Sequence, residues 1–331
     1  VLSGAMCISL SACGGGSGSS GQGSSGGSSG GSDGQLTVSI WDNAQLPGLK
    51  EIMDDFTGET GIAVDLQVVP WDQYWTLLEA GAQGGSLPDV FWMHSNYSQK
   101  FMSNDILLDL TDRIEQSSVI DLSNYYEDIT GLYQLDGKTY AIPKDYDTIG
   151  LWYNKTLFDE AGISYPHETW TWKTLAENAA KLTDADKGQY GFVSPAVNNQ
   201  DGYYNLIYSM GGSVLSDDKS KSLWDSPETM EAMKWWYDNL VTVSMPTQQV
   251  MGETTPDVLL GSGKAAMIMQ GSWMVAAFKG NEYTDENCDV AVLPMAEDGT
   301  RKTIYNGLGW AAAAGNSHTE EAWKLLEYLG S

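Results

Sequence analysis

Thirteen tryptophans and 17 tyrosines against six phenylalanines weight the aromatic content of this chain toward rings with a polar handle. Such rings stack on the apolar C–H face of a polyhydroxylated ring, while amides and carboxylates take the hydroxyls at its rim. Trp41-Asp42-Asn43 follows the alternating run Leu36, Val38, Ile40, and Trp92, with Ser95 and Asn96 beyond it, belongs to the apolar run Val90-Phe91-Trp92-Met93. Both places are ends of predicted strands, where doubly wound sheets put ligand contacts. In Asn306-Gly307-Leu308-Gly309-Trp310, two glycines let backbone approach a ligand closely and Trp310 offers one more ring. A plainer reading stands beside each: the tryptophans as core packing, Asp42 as a helix cap or a solvated loop acid. Trp170, Trp172, Trp235 and Trp236 fall in helical segments and read as packing.

Signals for catalysis and metal binding do not assemble. His167-Glu168 lacks the second histidine of a zincin helix, no G-x-S-x-G sits at a strand-to-helix turn, and no phosphate-binding loop is spelled out. Asp184, Asp186 and Gly188 resemble the start of a calcium loop, but the glycine comes one place early and position 195 is Pro where the closing Glu belongs. They read as a polar turn. Cys7, Cys13 and Cys288 form no pair at redox or zinc spacing, and Cys288 reads as a small apolar filler. We therefore expect no cofactor and no metal. The 44 acidic residues against 17 basic ones give a net charge of −27, which repels nucleic acid and anionic lipid.

The elements that must carry these groups alternate between strand and helix. Leu36–Ile40 and Ile62–Val68 alternate as strands around a helix bearing Leu49, Ile52, Met53 and Phe56, a β-α-β unit. A helix over 71–82 leads into the buried strand at Val90, and Leu135-Asp136-Gly137-Lys138 reads as a tight turn between short strands. Further on, Thr171 and Ser226 cap helices, Ala265–Met269 and Val290–Leu293 read as buried strands, and Ser317 with Glu320 forms a capping box for the last helix.

The first 32 residues carry no charge and are a different material. Residues 1–12 read as the remnant of a signal peptide, with no initiator Met and no basic start, so the gene product is expected to begin further upstream. Leu10-Ser11-Ala12-Cys13 resembles the lipobox of bacterial lipoproteins, which implies that Cys13 is lipidated. From Gly14 to Ser32 every residue but Gln22 is Gly or Ser, a flexible leash with a reach of roughly 25 Å. No run long and apolar enough for a transmembrane helix follows, so the expected membrane attachment is the lipid alone.

Gly137-Lys138-Thr139-Tyr140-Ala141-Ile142-Pro143, running on to Gly150-Leu151-Trp152-Tyr153-Asn154-Lys155, resembles the segment by which extracellular solute-binding proteins of the maltose-binding class are recognised. Leu87-Pro88-Asp89-Val90-Phe91-Trp92, Gly261-Ser262-Gly263-Lys264-Ala265-Ala266-Met267 with Gly271-Ser272-Trp273, and Val292-Leu293-Pro294 agree in the same order. The match spans residues 36–331. Trp152 stands where the family has an aliphatic residue, and the family continues beyond the last helix, so further chain is expected at both ends.

The resemblance implies an α/β, two-lobed periplasmic-binding-protein fold of type II, each lobe a sheet flanked by helices, with ligand in the cleft. It divides the chain into a leader (1–12), a lipidated Cys and linker (13–34), an N-terminal lobe (35–145), an incomplete C-terminal lobe (146–303) and a return to the first lobe (304–331). Crossings are expected near Pro143–Asp147 and Thr303–Asn306. Trp92 resembles a sugar-stacking tryptophan, although Ser95 and Asn96 replace the charged pair that follows it in maltose-binding proteins. Asp147 matches a hinge carboxylate that accepts sugar hydroxyls, Trp273 a stacking tryptophan of the second lobe, and Tyr203 or Tyr204 a further aromatic. The implied function is the monomeric carbohydrate-binding lipoprotein of an ABC importer, a non-enzyme on the outer face of a cytoplasmic membrane of Gram-positive type, with the permease subunits as its partner. The competing readings are a secreted glycoside hydrolase, which would need a pair of catalytic carboxylates, and a sugar-sensing surface protein.

Overall fold

The computed structural model describes residues 34–195 and 200–331. Cys7, Cys13 and the Gly/Ser tract lie outside the described residues. The first sheet has the order β2-β1-β3-β11-β6, from β1 (Gln35–Ile40), β2 (Ala63–Val68), β3 (Val90–Met93), β6 (Ala141–Pro143) and β11 (Gly309–Ala312). β1, β2 and β3 are parallel, whereas β11 enters antiparallel between β3 and β6. All four residues of β3 are buried, as its central place requires, each such apolar side chain contributing about 1.5–3 kcal/mol.

Alternation along the central strands sends side chains to two layers. Val90, Trp92, Trp310 and Ala312 face α1 (Leu46–Thr60) and the C-terminal helix Thr319–Leu329. Phe91, Met93 and Ala311 face α2 (Trp71–Gly84) and α3 (Ser95–Ser103). In α1, Leu49, Met53 and Phe56 are the buried stripe, while Ile52 points outward, 39% exposed. β4 (Gln134–Leu135) and β5 (Lys138–Thr139) form a hairpin. Asp136 (φ 51°) and Gly137 (φ 78°) at its tip supply the two positive φ values of a tight hairpin turn.

The second sheet is built on β7 (Asp147–Asn154), which pairs antiparallel with β8 (Met267–Gly271), β9 (Cys288–Ala291) and β10 (Tyr305–Asn306). Its core holds Leu151, Tyr153, Met267 and Met269 against Trp170, Trp172, Phe192 and Trp236. Cys288 is buried in a separate cluster with Val193, Leu260, Ile268 and Phe278, as a filler. Thr171 and Ser226 cap their helices by accepting from Thr174 N–H and Thr229 N–H. Two details differ from the sequence reading. Val290 and Val292 are 48% and 50% exposed, because β9, which contains Val290 and ends just before Val292, lies at the rim of the sheet. The last helix has no capping box: the Asn316 carboxamide accepts from His318 N–H instead.

The chain leaves the first sheet after Pro143 and enters the second at Asp147. It returns through Gly307-Leu308, since Tyr305-Asn306 still pairs with β7, a little later than expected. The two crossings bind each other: Lys144 N–H donates to Leu308 O at 2.8 Å, and Leu308 N–H to Asp145 Oδ1 at 2.9 Å. A Cβ on Gly307 would lie 2.3 Å from Asp145 O, so only glycine permits this approach.

Candidate functional site: the cleft between the lobes

The strand ends of the first sheet face the crossings. At the end of β1, Asp42 accepts from Ala44 N–H (2.8 Å) and Gln45 Nε2 (2.9 Å), folding its carboxylate into its own turn. Gln45 Oε1 accepts in turn from Lys144 Nζ at 3.0 Å, and the same ammonium reaches Asp145 at 2.5 Å. It also lies 4.5 Å from the Trp92 ring centroid, a cation–π arrangement. Lys144 thus ties a strand end to the hinge.

At the end of β3, His94 Nδ1 accepts from Asn96 N–H (3.1 Å) and Nε2 faces the Asn306 carboxamide (3.1 Å). With Nδ1 accepting, Nε2 carries the proton, which requires Asn306 to turn its oxygen toward the ring. Burial holds the His94 pKa down at about 4, against the opposing pull of Asp145. The neutral imidazole therefore clamps the start of α3 to the returning crossing.

Asp147 opens β7 across the hinge, where Ser272 Oγ donates to it at 3.0 Å. Its pKa is raised by burial and by the neighbouring Asp145, with the Ser272 hydroxyl and Lys144 acting the other way. Trp273, half-buried, lies over Gly271, where a Cβ would come within 1.8 Å of the ring. Asp147, Ser272 and Trp273 thus form one group at the meeting of β7 and β8.

A cavity of 970 Å³ opens between the lobes. Ser95, Ser98, Gln99 and Gln134 line it from the first lobe, Tyr204, Tyr208 and Lys219 from the second, and Lys302 and Tyr305 from the returning segment. Tyr305 also donates its hydroxyl to Asp128 of the first lobe. This is the mixture of aromatic faces, amides and hydroxyls that a polyhydroxylated ligand needs.

Several site residues stand where the sequence did not put them. Trp92 and Trp310 are 0% and 2% exposed. They are core residues packed on each other and beneath Trp41 (centroids 5.8 and 5.0 Å), and a ring so enclosed offers no face to a ligand. Asn306 is buried and committed to His94. Tyr203 and Tyr204 part company: Tyr204 lines the cleft, while Tyr203 lines a separate 410 Å³ cavity with Trp236 and Met245. Trp41 and Trp273 are half-buried, and Asn43 and Asn96 are exposed. The residues missed by sequence reasoning are Gln45, His94, Lys144 and Asp145 at the hinge, and Ser98, Gln99, Gln134, Tyr208 and Tyr305 around the cavity. Lys144-Asp145 lies inside the expected crossing, and that was their available signal. Asp184 forms a polar turn with Lys187 at 2.9 Å, and no group of metal ligands occurs among the described residues.

Residues 41–331 match the family of bacterial extracellular solute-binding proteins. The chain belongs to that family. Its relatives include a galactooligosaccharide-binding protein of Bacillus subtilis, 26% identical over all of this chain and 75% of that protein. Another is a maltotriose-binding protein of Pyrococcus abyssi, 24% identical over 89% of this chain and 63% of that protein. Among solved structures, a Listeria monocytogenes ABC substrate-binding protein in complex with cycloalternan superposes with a TM-score of 0.82, at 26% identity, over 90% of this chain and 75% of that one. A Thermotoga lettingae ABC transporter solute-binding protein bound with α-D-tagatose gives 0.77 at 25% identity, covering 90% and 77%. The two-lobed architecture is that of these binding proteins.

Proposed function

We propose that this solute-binding chain captures a carbohydrate, an oligosaccharide, in its inter-lobe cleft outside the cell and hands it to the membrane subunits of an ABC importer. The observation that carries the reading is the 970 Å³ cavity between the lobes, with Tyr204, Tyr208 and Tyr305 beside Ser95, Ser98, Gln99 and Gln134. That size is near the top of the range for small-molecule sites, about 300–1,000 Å³. Phenol faces suit the C–H faces of pyranoses, and the amides and hydroxyls suit their rims. The names of relatives that bind galactooligosaccharide and maltotriose support the substrate class. In this reading Asp147 and Trp273 meet the ligand at the hinge, Cys13 is the lipid-bearing residue, and residues 14–32 let the monomeric body float off the outer face of the membrane.

Titration of the chain with a panel of mono- and oligosaccharides, followed by tryptophan fluorescence and by product analysis, tests this. Saturable binding without cleavage is expected. Turnover of a bound glycoside would replace the receptor by a hydrolase. Failure of every carbohydrate, with a peptide or amino acid binding instead, would sink the substrate class. Anchoring is read separately, from incorporation of labelled lipid in cells, which Cys13→Ala should abolish.

A further inference from the structure

α3 lines the cleft with one side and packs against α2 with the other. Ser95, Ser98 and Gln99 fall on one side at 100° per residue and line the inter-lobe cavity. Tyr97 falls on the opposite side, stacked on Trp75 with centroids 3.7 Å apart and planes within 8°. Trp71, the first residue of α2, stands next to that stack. Trp41 (5.1 Å, 77°), Trp75 (5.4 Å, 82°), His94 (5.4 Å, 72°) and Tyr97 (6.4 Å, 74°) all meet it nearly at right angles. Such edge-to-face contacts hold a ring in place. Trp71 is nonetheless 38% exposed, a large ring locked in position with more than a third of its surface open.

The sheet order says where this ring lies. Trp71 follows β2, Trp41 follows β1 and His94 follows β3, and these strands are adjacent in the order β2-β1-β3. The aromatic row therefore runs outward along the strand ends, from the hinge toward the edge of the first lobe. Half-buried Trp41 and exposed Trp71, close to perpendicular, form a corner: one ring can stack on a pyranose while the other walls its edge. Exposed Asn43 belongs to the turn after β1 and exposed Asn96 to the first turn of α3, where their carboxamides suit ring hydroxyls.

We propose that Trp71 and Trp41 form an outer subsite for the distal ring of an oligosaccharide whose inner rings occupy the cavity on the other side of α3. The inference rests on the carbohydrate reading and adds chain length to it. A monosaccharide in the inner cavity does not reach Trp71, so this residue selects for longer chains without contributing to the binding of short ones.

The test is a chain-length series of one sugar that the wild type binds, from monosaccharide upward, titrated calorimetrically into wild type, Trp71→Leu and Trp71→Phe in the full chain. Leucine keeps apolar bulk and loses the flat face, whereas phenylalanine keeps a face; unfolding midpoints report whether each variant is folded. For Trp71→Leu the longest ligands should bind about tenfold more weakly, the size of one lost stacking contact, with the monosaccharide unchanged and most of the loss restored by phenylalanine. A loss equal at every length, or no loss at any length, overturns the outer subsite and leaves carbohydrate binding standing. A wild type that binds no carbohydrate overturns both.

Discussion

Replacing Lys144 by methionine should cost the first lobe about 2–3 kcal/mol. The ammonium joins three things: Gln45 Oε1 at 3.0 Å, Asp145 at 2.5 Å and the Trp92 ring at 4.5 Å. Its side chain is 12% exposed and that of Asp145 is 29% exposed. Breaking a fully buried pair costs about 3–5 kcal/mol, because a charge is left without a partner. Asp145 sees some water and keeps its bond from Leu308 N–H, which brings the ionic part down to about 2 kcal/mol. Loss of the cation over Trp92 adds up to about 1 kcal/mol. Urea unfolding of wild type, Lys144→Met, Asp145→Asn and the double variant closes the cycle. The double variant should recover at least half of the Lys144→Met loss, since it leaves no unpaired carboxylate. A Lys144→Met loss below about 0.5 kcal/mol, within ordinary surface-substitution scatter, or strict additivity in the double variant, would show that the hub does not act as a unit.

Gly271→Ala should displace Trp273, whose ring occupies the space of the new Cβ; a stability loss of about 1–3 kcal/mol should accompany weakened carbohydrate binding by calorimetry. Asp147→Asn should weaken binding about tenfold or more, the difference between a charged and a neutral acceptor. It should also abolish the acid limb of the affinity profile, where wild-type affinity falls as pH drops through the raised Asp147 pKa. Burial pushes the Cys288 thiol up to about 11, so with Cys7 and Cys13 replaced by serine the folded chain should stay unreactive to a disulfide reagent at pH 8 and react on unfolding. The pH profile of stability should reveal two opposed slopes. His94 falls to about 4, so the unfolded state binds the extra proton and stability rises with pH between 4 and the ordinary value near 6.5. Burial lifts Asp201 to about 6, so here the native state holds the proton and stability falls as pH rises from the ordinary 3.8 to that value. Asp201→Asn should unmask a rise of about 3 kcal/mol between pH 4 and 6.5, and His94→Gln a fall of similar size; a difference profile that is flat against wild type in both variants refutes the assignment.

Period and turn chemistry made the lobes legible. Leu36, Val38 and Ile40, the buried stripe Leu49, Met53 and Phe56, and the Asp136-Gly137 turn are local signals, and each forms as the pattern requires. The site was legible only in part, because burial is a property of packing across the sheet. Trp92 sits at a strand end, but β11 returns beside it, and Trp310 then covers what would have been an open face. The tyrosine pair at 203 and 204 was indistinguishable by sequence, since neighbouring residues at the start of a helix diverge by about 100°; only the fold decides which one meets the cleft. Lys144 and His94 escaped notice for a related reason: their partners Gln45 and Asn306 lie 99 and 212 residues away.

These long-range bonds have a mechanical meaning. Lys144 N–H to Leu308 O and Leu308 N–H to Asp145 Oδ1 make the crossings one ladder, so a closing motion would turn both about a shared axis rather than bend each separately. Points on an axis move least. The charged and polar groups, Lys144, Asp145, Asp147, Ser272, His94 and Asn306, are gathered beside that ladder, whereas Tyr204 and Tyr208 are carried by the second-lobe helix Tyr204–Ser209. Hydrogen bonds lose their strength over a few tenths of an ångström and tens of degrees, while contact between a ring and an apolar face tolerates sliding. Direction-sensitive groups therefore occupy the place where geometry is kept as the lobes rotate. The tolerant faces of Tyr204 and Tyr208 line the cleft from the second lobe, and it is there that closure would convert an open cleft into a stacked one.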